Sequence, residues 1–331
     1  MKLQRQIEDR WNSLTKPPGS LGRLEQMVAR YGWIRGDAMP SIRRKGMYIF
    51  CGDHGVTAEG VSAYPQEVTR QMMSNFLAGG AAISVLCRRF GIEPVVVDAG
   101  VIGEPPPGVL NRKVAGGTKN FRAGPAMTRA EAERAIEAGR ALAGEAAEQF
   151  DIAGAGEMGI GNSTAAAALL CAFTGLTPEE AVGRGAGIDA AGLARKTLAL
   201  RRALTLHQPD PADAIGVLAA VGGFEIAMIT GFVLEAAVRK LPVVLDGFIA
   251  TSAALAVKAI EPAALATVFY SHRSAERGHA RMLGYLDAEV YYSLDLRLGE
   301  GTGAALTINL LETALTLYRE MATFTEAHIS R

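Results

Sequence analysis

Five short apolar runs in this chain each end in a cluster of Gly, Asp, Ser or His, and helical stretches lie between them. They are "KGMYIFCGDHG", "EPVVVDAGVIG", "FDIAGAGEMGIGNSTAAAALLCAF", "PVVLDGFIATSAALAVKAI" and "ATVFYSHRSAERGHARML". Strands alternating with helices fold as an α/β domain, with a mostly parallel sheet covered by helices on both faces. In such sheets ligands bind beyond the carboxyl ends of the strands. The expected strand ends carry Gly52, Asp53 and His54, then Asp98, Gly154 to Thr164, Asp246 with Gly247, and Ser271 to Glu276. The alternation therefore places the polar candidates on one rim.

The chain's 331 residues suffice for one large α/β domain or two unequal ones, and 49% apolar residues support a sizeable core. Lys plus Arg and Asp plus Glu both number 34, so no basic field for nucleic acid is expected. Cys51, Cys87 and Cys171 form no CxxC and no metal-like spacing with His. They read as small buried residues in a reducing compartment. The amphipathic start "MKLQRQIEDRWNSL" is not a signal peptide. The most apolar stretch, Ile215 to Leu234, is interrupted by Gly222, Gly223 and Glu225, which predicts a buried helix pair rather than a membrane span. A cytoplasmic location is expected.

Helices are expected before residue 36, broken at "TKPPGSLGRLE", where Ser20 is the candidate cap of the second. "EVTRQMMSNFLAGGAAISVLCRRFG" and "TRAEAERAIEAGRALAGEAAEQ" read as helical, and Gly103 to Gly124 as a long surface loop.

Four segments carry chemistry. In "GAGEMGIGNST", Gly154, Gly156 and Gly159 fit GxGxxG between a strand and a helix. Glu157 inside the loop would repel a pyrophosphate, and no acid ends a second strand about 20 residues on, so a dinucleotide is disfavoured. A single phosphate on the N–H groups of Gly159 to Thr164 fits better; tight strand–helix packing is the bland alternative. "GRGAGID" is a second glycine turn, followed by Lys196, a point charge for a phosphate or part of a solvated face. "SHRSAERGH" packs hydroxyls, two His, two Arg and a Glu; His272 and His279 lack the i, i+4 spacing of a helical zinc pair. In "RLGEGTGAAL", Glu300 sits among glycines at a helix start. It could cap that helix or reach into a cleft to take a proton.

Together "LTKPPGSLGRLE", "GDHGVTAEGVSAYPQEVT", "GEMGIGNSTAAAAL", "GRGAGID", "VVLDGFIATSAAL", "SHRSAERGH" and "RLGEGTGAAL" resemble the nicotinate-nucleotide–dimethylbenzimidazole phosphoribosyltransferase family, in order and over nearly the whole chain. The resemblance implies a Rossmann-like sheet in a catalytic domain over 38–306. A small helical domain is then built from the two chain ends, 1–37 with 307–331, and the protein is a homodimer. The implied reaction moves phosphoribose from nicotinate mononucleotide to 5,6-dimethylbenzimidazole, giving α-ribazole 5′-phosphate and nicotinate for the lower ligand loop of cobalamin. No metal or other cofactor and no membrane or nucleic-acid partner is implied. By the same resemblance Glu300 is the catalytic base and Glu157 the second active-site carboxylate. Phosphate and ribose fall to Gly159, Ile160, Gly161, Asn162, Gly185, Lys196, Asp246 and Ser274. The aromatic base falls to Tyr64, Gln71 and Leu298. The stretch "YYSLDLRLGEG" is less apolar than the resemblance implies, which makes Tyr291, Tyr292 and Ser293 candidates to reshape the pocket wall.

Alternatives are the same transfer to a purine or phenol, a magnesium-dependent enzyme using pyrophosphorylated ribose, an NAD-dependent enzyme, and a non-catalytic nucleotide sensor. "PVVVDAGVIG" carries one acid, Asp98, where the magnesium-dependent class places adjacent acids. A sensor would have no need of Glu300.

Overall fold

A computed structural model describes residues 2–185 and 187–330; Ala186, inside the "GRGAGID" turn, lies outside the described residues. Two helices open the chain, α1 (Lys2–Ser13) and α2 (Arg23–Arg35), then β1 (Lys45–Gly52), α3 (Glu67–Ala78), α4 (Ala82–Phe90), β2 (Glu93–Gly100) and β3 (Leu110–Asn111). There follow α5 (Arg129–Gln149), β4 (Ile152–Met158), α6 (Asn162–Thr174), α7 (Pro178–Ala181), α8 (Ala190–His207), α9 (Ala214–Val221) and α10 (Phe224–Val238). The chain closes with β5 (Val243–Leu245), α11 (Phe248–Ile260), β6 (Val268–His272), α12 (His279–Leu286), β7 (Val290–Tyr292) and α13 (Thr302–Glu320). The strands form one seven-stranded parallel sheet in the order β3-β2-β1-β4-β5-β6-β7. This is the doubly wound order, and it reverses direction between β1 and β4.

Period-2 alternation divides each strand between two cores. In β1, Tyr48 and Phe50 face one side with Ala153, Ala155 and Phe232. Met47, Ile49 and Cys51 face the other with Ile152, Val244 and Phe269. The first face is covered by α5, α6, α9, α10 and α11. The second is covered by α1 to α4 and α13, so the two chain ends meet over the sheet. Trp11 lies 4.9 Å from Tyr318 ring to ring, the Tyr318 hydroxyl donates to the Ala38 carbonyl (2.7 Å), and Leu14 bridges to Thr323.

Several expectations change in detail. Ser20 does not cap α2, whose first turn follows Gly22 without a side-chain cap; Glu25 instead reaches back to the Leu21 N–H (3.0 Å) and to Lys16 (2.8 Å). The long helix after residue 66 is two helices, because Gly79 takes a left-handed φ of 81° and ends α3. The apolar stretch from Ile215 is the helix pair α9 and α10, separated at Gly222 and Gly223. Among the described residues, no helix is long and apolar enough to cross a membrane. Edge strands β3 and β7 carry no period-2 signal of their own and exist through pairing with β2 and β6.

Candidate active site

Where the strand order reverses, the segments after β1 and β4 part to leave a cavity of about 380 Å³, within the range of small-molecule sites. The start of α11, with the loops after α7, β6 and β7, completes its wall.

The floor is the loop from β4 to α6. Gly161, with φ 94°, precedes the first residue of α6, so that helix directs its unsatisfied N–H groups at the cavity. Not all are free. The Ile160 N–H is spent on Thr69 Oγ1 (3.1 Å) and the Asn162 N–H on the Gly159 carbonyl (3.1 Å). An anion here meets the start of α6 around Gly161 and Ser163. Behind it lies Lys196 on α8, only 1% exposed, donating to Ser163 Oγ (2.8 Å) and, more weakly, to the Gly183 carbonyl (3.4 Å). Gly185 joins the wall beside it, and a Cβ there would come within 3.4 Å of the lysine nitrogen. Burial pulls the Lys196 amine down to about 8, with Glu276 nearby opposing the shift.

Two carboxylates face this helix end. Glu157, the sixth residue of β4, is 5% exposed and bonded to Asn162 Nδ2. Burial, then the charge of Asp246, pushes it up to about 8, while the Asn162 bond opposes them. Glu300 is held in the left-handed region at φ 65° between Gly299 (87°) and Gly301 (95°). A non-glycine residue there carries strain of order 1–3 kcal/mol, which the surroundings must hold. They do so at three points. Its N–H donates to the Glu157 carbonyl (3.2 Å). Asp246, from the end of β5, accepts the Gly301 N–H (3.0 Å) and the Ala304 N–H (3.1 Å). Gly156 lets β4 pass against the turn, where any Cβ would collide with the Gly301 backbone. The Ile83 N–H in the first turn of α4 favours the ionised Glu300 carboxylate, yet burial, then Asp246, pushes its pKa up to about 7. Among the described residues its Oε2 has no partner. Val61, Val68, Met72 and Ile249 form an apolar stretch of wall, with the half-exposed Tyr64 and Leu298 beside it and Ser62, Glu276 and Arg297 as its polar members.

Glu300, Glu157, Gly159, Ile160, Gly161, Asn162, Gly185, Tyr64 and Leu298 thus converge on one cavity as expected. Four expected residues stand elsewhere. Lys196 is one shell behind the wall. Asp246 sits under the Glu300 turn and spends its oxygens on backbone N–H groups, so it holds the turn rather than facing the cavity. Ser274 lies outside the lining; its Oγ donates to the Leu296 carbonyl (3.0 Å) and accepts the Glu276 N–H (3.2 Å). Gln71 is on the exposed side of α3, while Val68 and Met72, one turn apart, face the cavity. Tyr291 and Tyr292 are not wall residues either: the first packs near Phe269 and the second donates to the Gly303 carbonyl (2.6 Å). Sequence reasoning missed Ser163, Glu276 and Arg297 as wall residues, although each lies inside a segment it singled out. It also missed Val68, Met72 and Ile249, whose apolar character is indistinguishable from core. Among the described residues, no group of three or more His, Cys, Asp or Glu side chains is placed to hold a metal ion.

The cavity therefore brings together a helix N-terminus backed by a buried lysine, two buried acids and an apolar stretch of wall. Comparison with known proteins identifies the family. A family model described as phosphoribosyltransferase matches residues 1–329. The nicotinate-nucleotide–dimethylbenzimidazole phosphoribosyltransferase of Chloroflexus aggregans is 49% identical over 97% of this chain and 92% of its own. The enzyme of that name from Geotalea uraniireducens is 50% identical over 96% and 91%. The crystal structure of CobT from Thermus thermophilus superposes with a TM-score of 0.94 at 47% identity, covering all of both chains. On the match along its length and the identity of these relatives, the chain belongs to the nicotinate-nucleotide–dimethylbenzimidazole phosphoribosyltransferase family.

Proposed function

We propose that the protein transfers the 5-phosphoribosyl group of nicotinate mononucleotide to 5,6-dimethylbenzimidazole, giving α-ribazole 5′-phosphate and nicotinate in the assembly of cobalamin. One observation carries the site assignment. Glu300 is a buried carboxylate with a free oxygen and a raised pKa, in the same cavity as a helix N-terminus backed by a buried lysine.

The mononucleotide's phosphate rests on the start of α6, with Ser163 as its hydroxyl partner and Lys196 as the charge behind. That anchor sets the ribose C1 beside Glu157 and Glu300. The donor's ring nitrogen carries a positive charge, which Glu157 and Glu300 are placed to complement. Bringing that cation into the cavity favours the ionised form of both acids, whose raised pKa values reflect burial without a counter-charge. The C1–N bond breaks with its electron pair going to the pyridine nitrogen, so nicotinate departs with a neutral ring. The acceptor's unprotonated ring nitrogen forms the new bond from the opposite face, which turns the β donor into an α product. Its other nitrogen then becomes acidic, and Glu300 Oε2 takes that proton. Glu157 stabilises the positive charge that builds at C1. The planar acceptor sits against Tyr64, Leu298, Val61 and Met72. A homodimer in the cytoplasm completes the proposal, as the family resemblance implies; light scattering tests the dimer.

The deciding assay incubates the protein with nicotinate mononucleotide and a panel of benzimidazoles, purines and phenols. Mass spectrometry identifies the products and NMR the anomeric configuration. An α-riboside phosphate of dimethylbenzimidazole is expected. Nicotinate release with no riboside of any acceptor would overturn the transferase reading.

A further inference from the structure

Beneath the floor of the cavity lies a pair of titratable side chains that the chemistry above does not use. His54, just after β1, and Glu225, in the first turn of α10, are both 0% exposed. His54 Nε2 and Glu225 Oε1 are 2.6 Å apart, and neither residue lines the cavity. Among the described residues, His54 Nδ1 and Glu225 Oε2 have no partner. Removing a carboxylate and an imidazole from water costs several kcal/mol that one hydrogen bond only partly offsets, so stability does not account for such a pair.

Its surroundings do. The glycine loop lies flat on it: a Cβ on Gly159 would come within 3.3 Å of Glu225 Oε1, and one on Gly161 within 3.4 Å of the His54 Cβ. On the other side, the His54 carbonyl accepts the Thr57 N–H (3.1 Å), the Thr57 hydroxyl (2.9 Å) and, more weakly, Gln66 Nε2 (3.5 Å). Those bonds pin both ends of the segment whose middle, from Val61 to Tyr64, walls the apolar slot. His54 thus meets the start of α10 and the phosphate loop through its side chain and the acceptor wall through its carbonyl.

We propose that His54 and Glu225 are a positioning pair for the transfer, fixing the height of the Gly159–Ser163 loop and the course of residues 55–66 together. The inference rests on the phosphoribosyl-transfer reading and deepens it. The pair touches no substrate, so its effect passes entirely through the two walls it holds.

The test compares wild type with Glu225→Gln, His54→Gln and the double variant at 25 °C, recording kcat, the KM of nicotinate mononucleotide and of dimethylbenzimidazole, and the melting temperature. A misplacement on the order of 1 Å costs about 10²-fold. Each folded single variant should therefore lose roughly 10- to 100-fold in kcat/KM for both substrates, and the double should be little worse than the poorer single, since the two act as one contact. Folded variants with a lowered melting temperature and kcat/KM within about threefold of wild type for both substrates would overturn the proposal. Where the variants do not fold, nitrogen NMR of the histidines in wild type decides: the His54 signals should shift when nicotinate mononucleotide saturates the site, and unmoved signals overturn it. Wild type in the same assay separates the two readings, because absence of any riboside product counts against the transferase function and leaves the NMR measurement to judge the pair.

Discussion

Glu300→Gln should inactivate the enzyme and stabilise it in one step. The amide keeps the volume, but it cannot take a proton. General-base catalysis contributes about 10²–10⁴-fold, so kcat should fall at least about 100-fold with both substrates still binding. The stability effect follows from the same burial. The folded carboxyl holds its proton up to about 7, against an ordinary value of 4.5. The unfolded chain ionises first, so stability falls as pH rises from about 4.5 to about 7, and the penalty is then fully in place. At 1.36 kcal/mol per unit the ionised side chain costs about 3 kcal/mol above pH 7. The uncharged amide escapes this, and the variant should melt several degrees higher at pH 8 with no advantage at pH 4.

The competing reading treats Glu300 as a helix cap: it does not cap its own helix, since α13 follows Gly301 without a side-chain cap, so the anionic carboxylate would act on the first turn of α4 beside the Ile83 N–H. That role predicts the opposite sign, a loss of ~0.3–1 kcal/mol on Glu→Gln, and near-normal turnover. Steady-state kinetics and melting curves at pH 4 and pH 8 separate the two. Wild-type kcat/KM should also fall tenfold per unit as pH drops below about 7, with that limb absent in the variant. A folded Glu300→Gln protein with near-normal kcat would refute the base assignment and leave Glu157 as the next candidate.

Three further outcomes follow from the same geometry. Lys196→Ala should lower kcat/KM for the mononucleotide roughly 10- to 150-fold, the equivalent of ~1.5–3 kcal/mol for a charge-assisted contact, with little change in the KM of the base. In wild type, the KM of the mononucleotide should rise above pH 8 as the lysine deprotonates; equal use of phosphate-free nicotinate riboside by wild type would remove the phosphate role. Asp246→Asn replaces one accepting oxygen with a donor facing a backbone N–H, so it should cost about 1–3 kcal/mol in thermal unfolding and lower kcat by loosening the Glu300 turn; an unchanged melting temperature would show that the turn does not depend on it. Gly156→Ala should displace the turn outright, costing ~1–3 kcal/mol from overpacking together with most of the activity, and full activity in a folded variant would contradict the contact with Gly301.

The residues legible in the sequence were those whose signal is local. A glycine loop between an apolar run and a helix announces its own conformation, so Gly159 to Asn162 could be placed at the sheet's ligand-binding rim before any tertiary contact was known. Glu157 and Glu300 stood out because an acid among glycines has no packing role to explain it. The edge strands β3 and β7 were not legible, since two or three residues without alternation become strands only when a neighbour supplies the ladder. The same limit governs the site's walls. Met72 and Gln71 differ by one residue and about 100° on α3, and composition alone cannot say which faces a cavity and which faces water. Asp246 shows a second limit. Its position at a strand end was right, but strand ends supply groups to a neighbouring helix as readily as to a ligand, and the start of α13 claimed it. The acid proposed to do the chemistry thus stood out within its own segment. The acid that holds it at φ 65° was found only by seeing which backbone N–H groups needed a partner. For that reason Asp246→Asn and Glu300→Gln must be measured side by side: both should lower kcat, and only the first should also lower the melting temperature at pH 8.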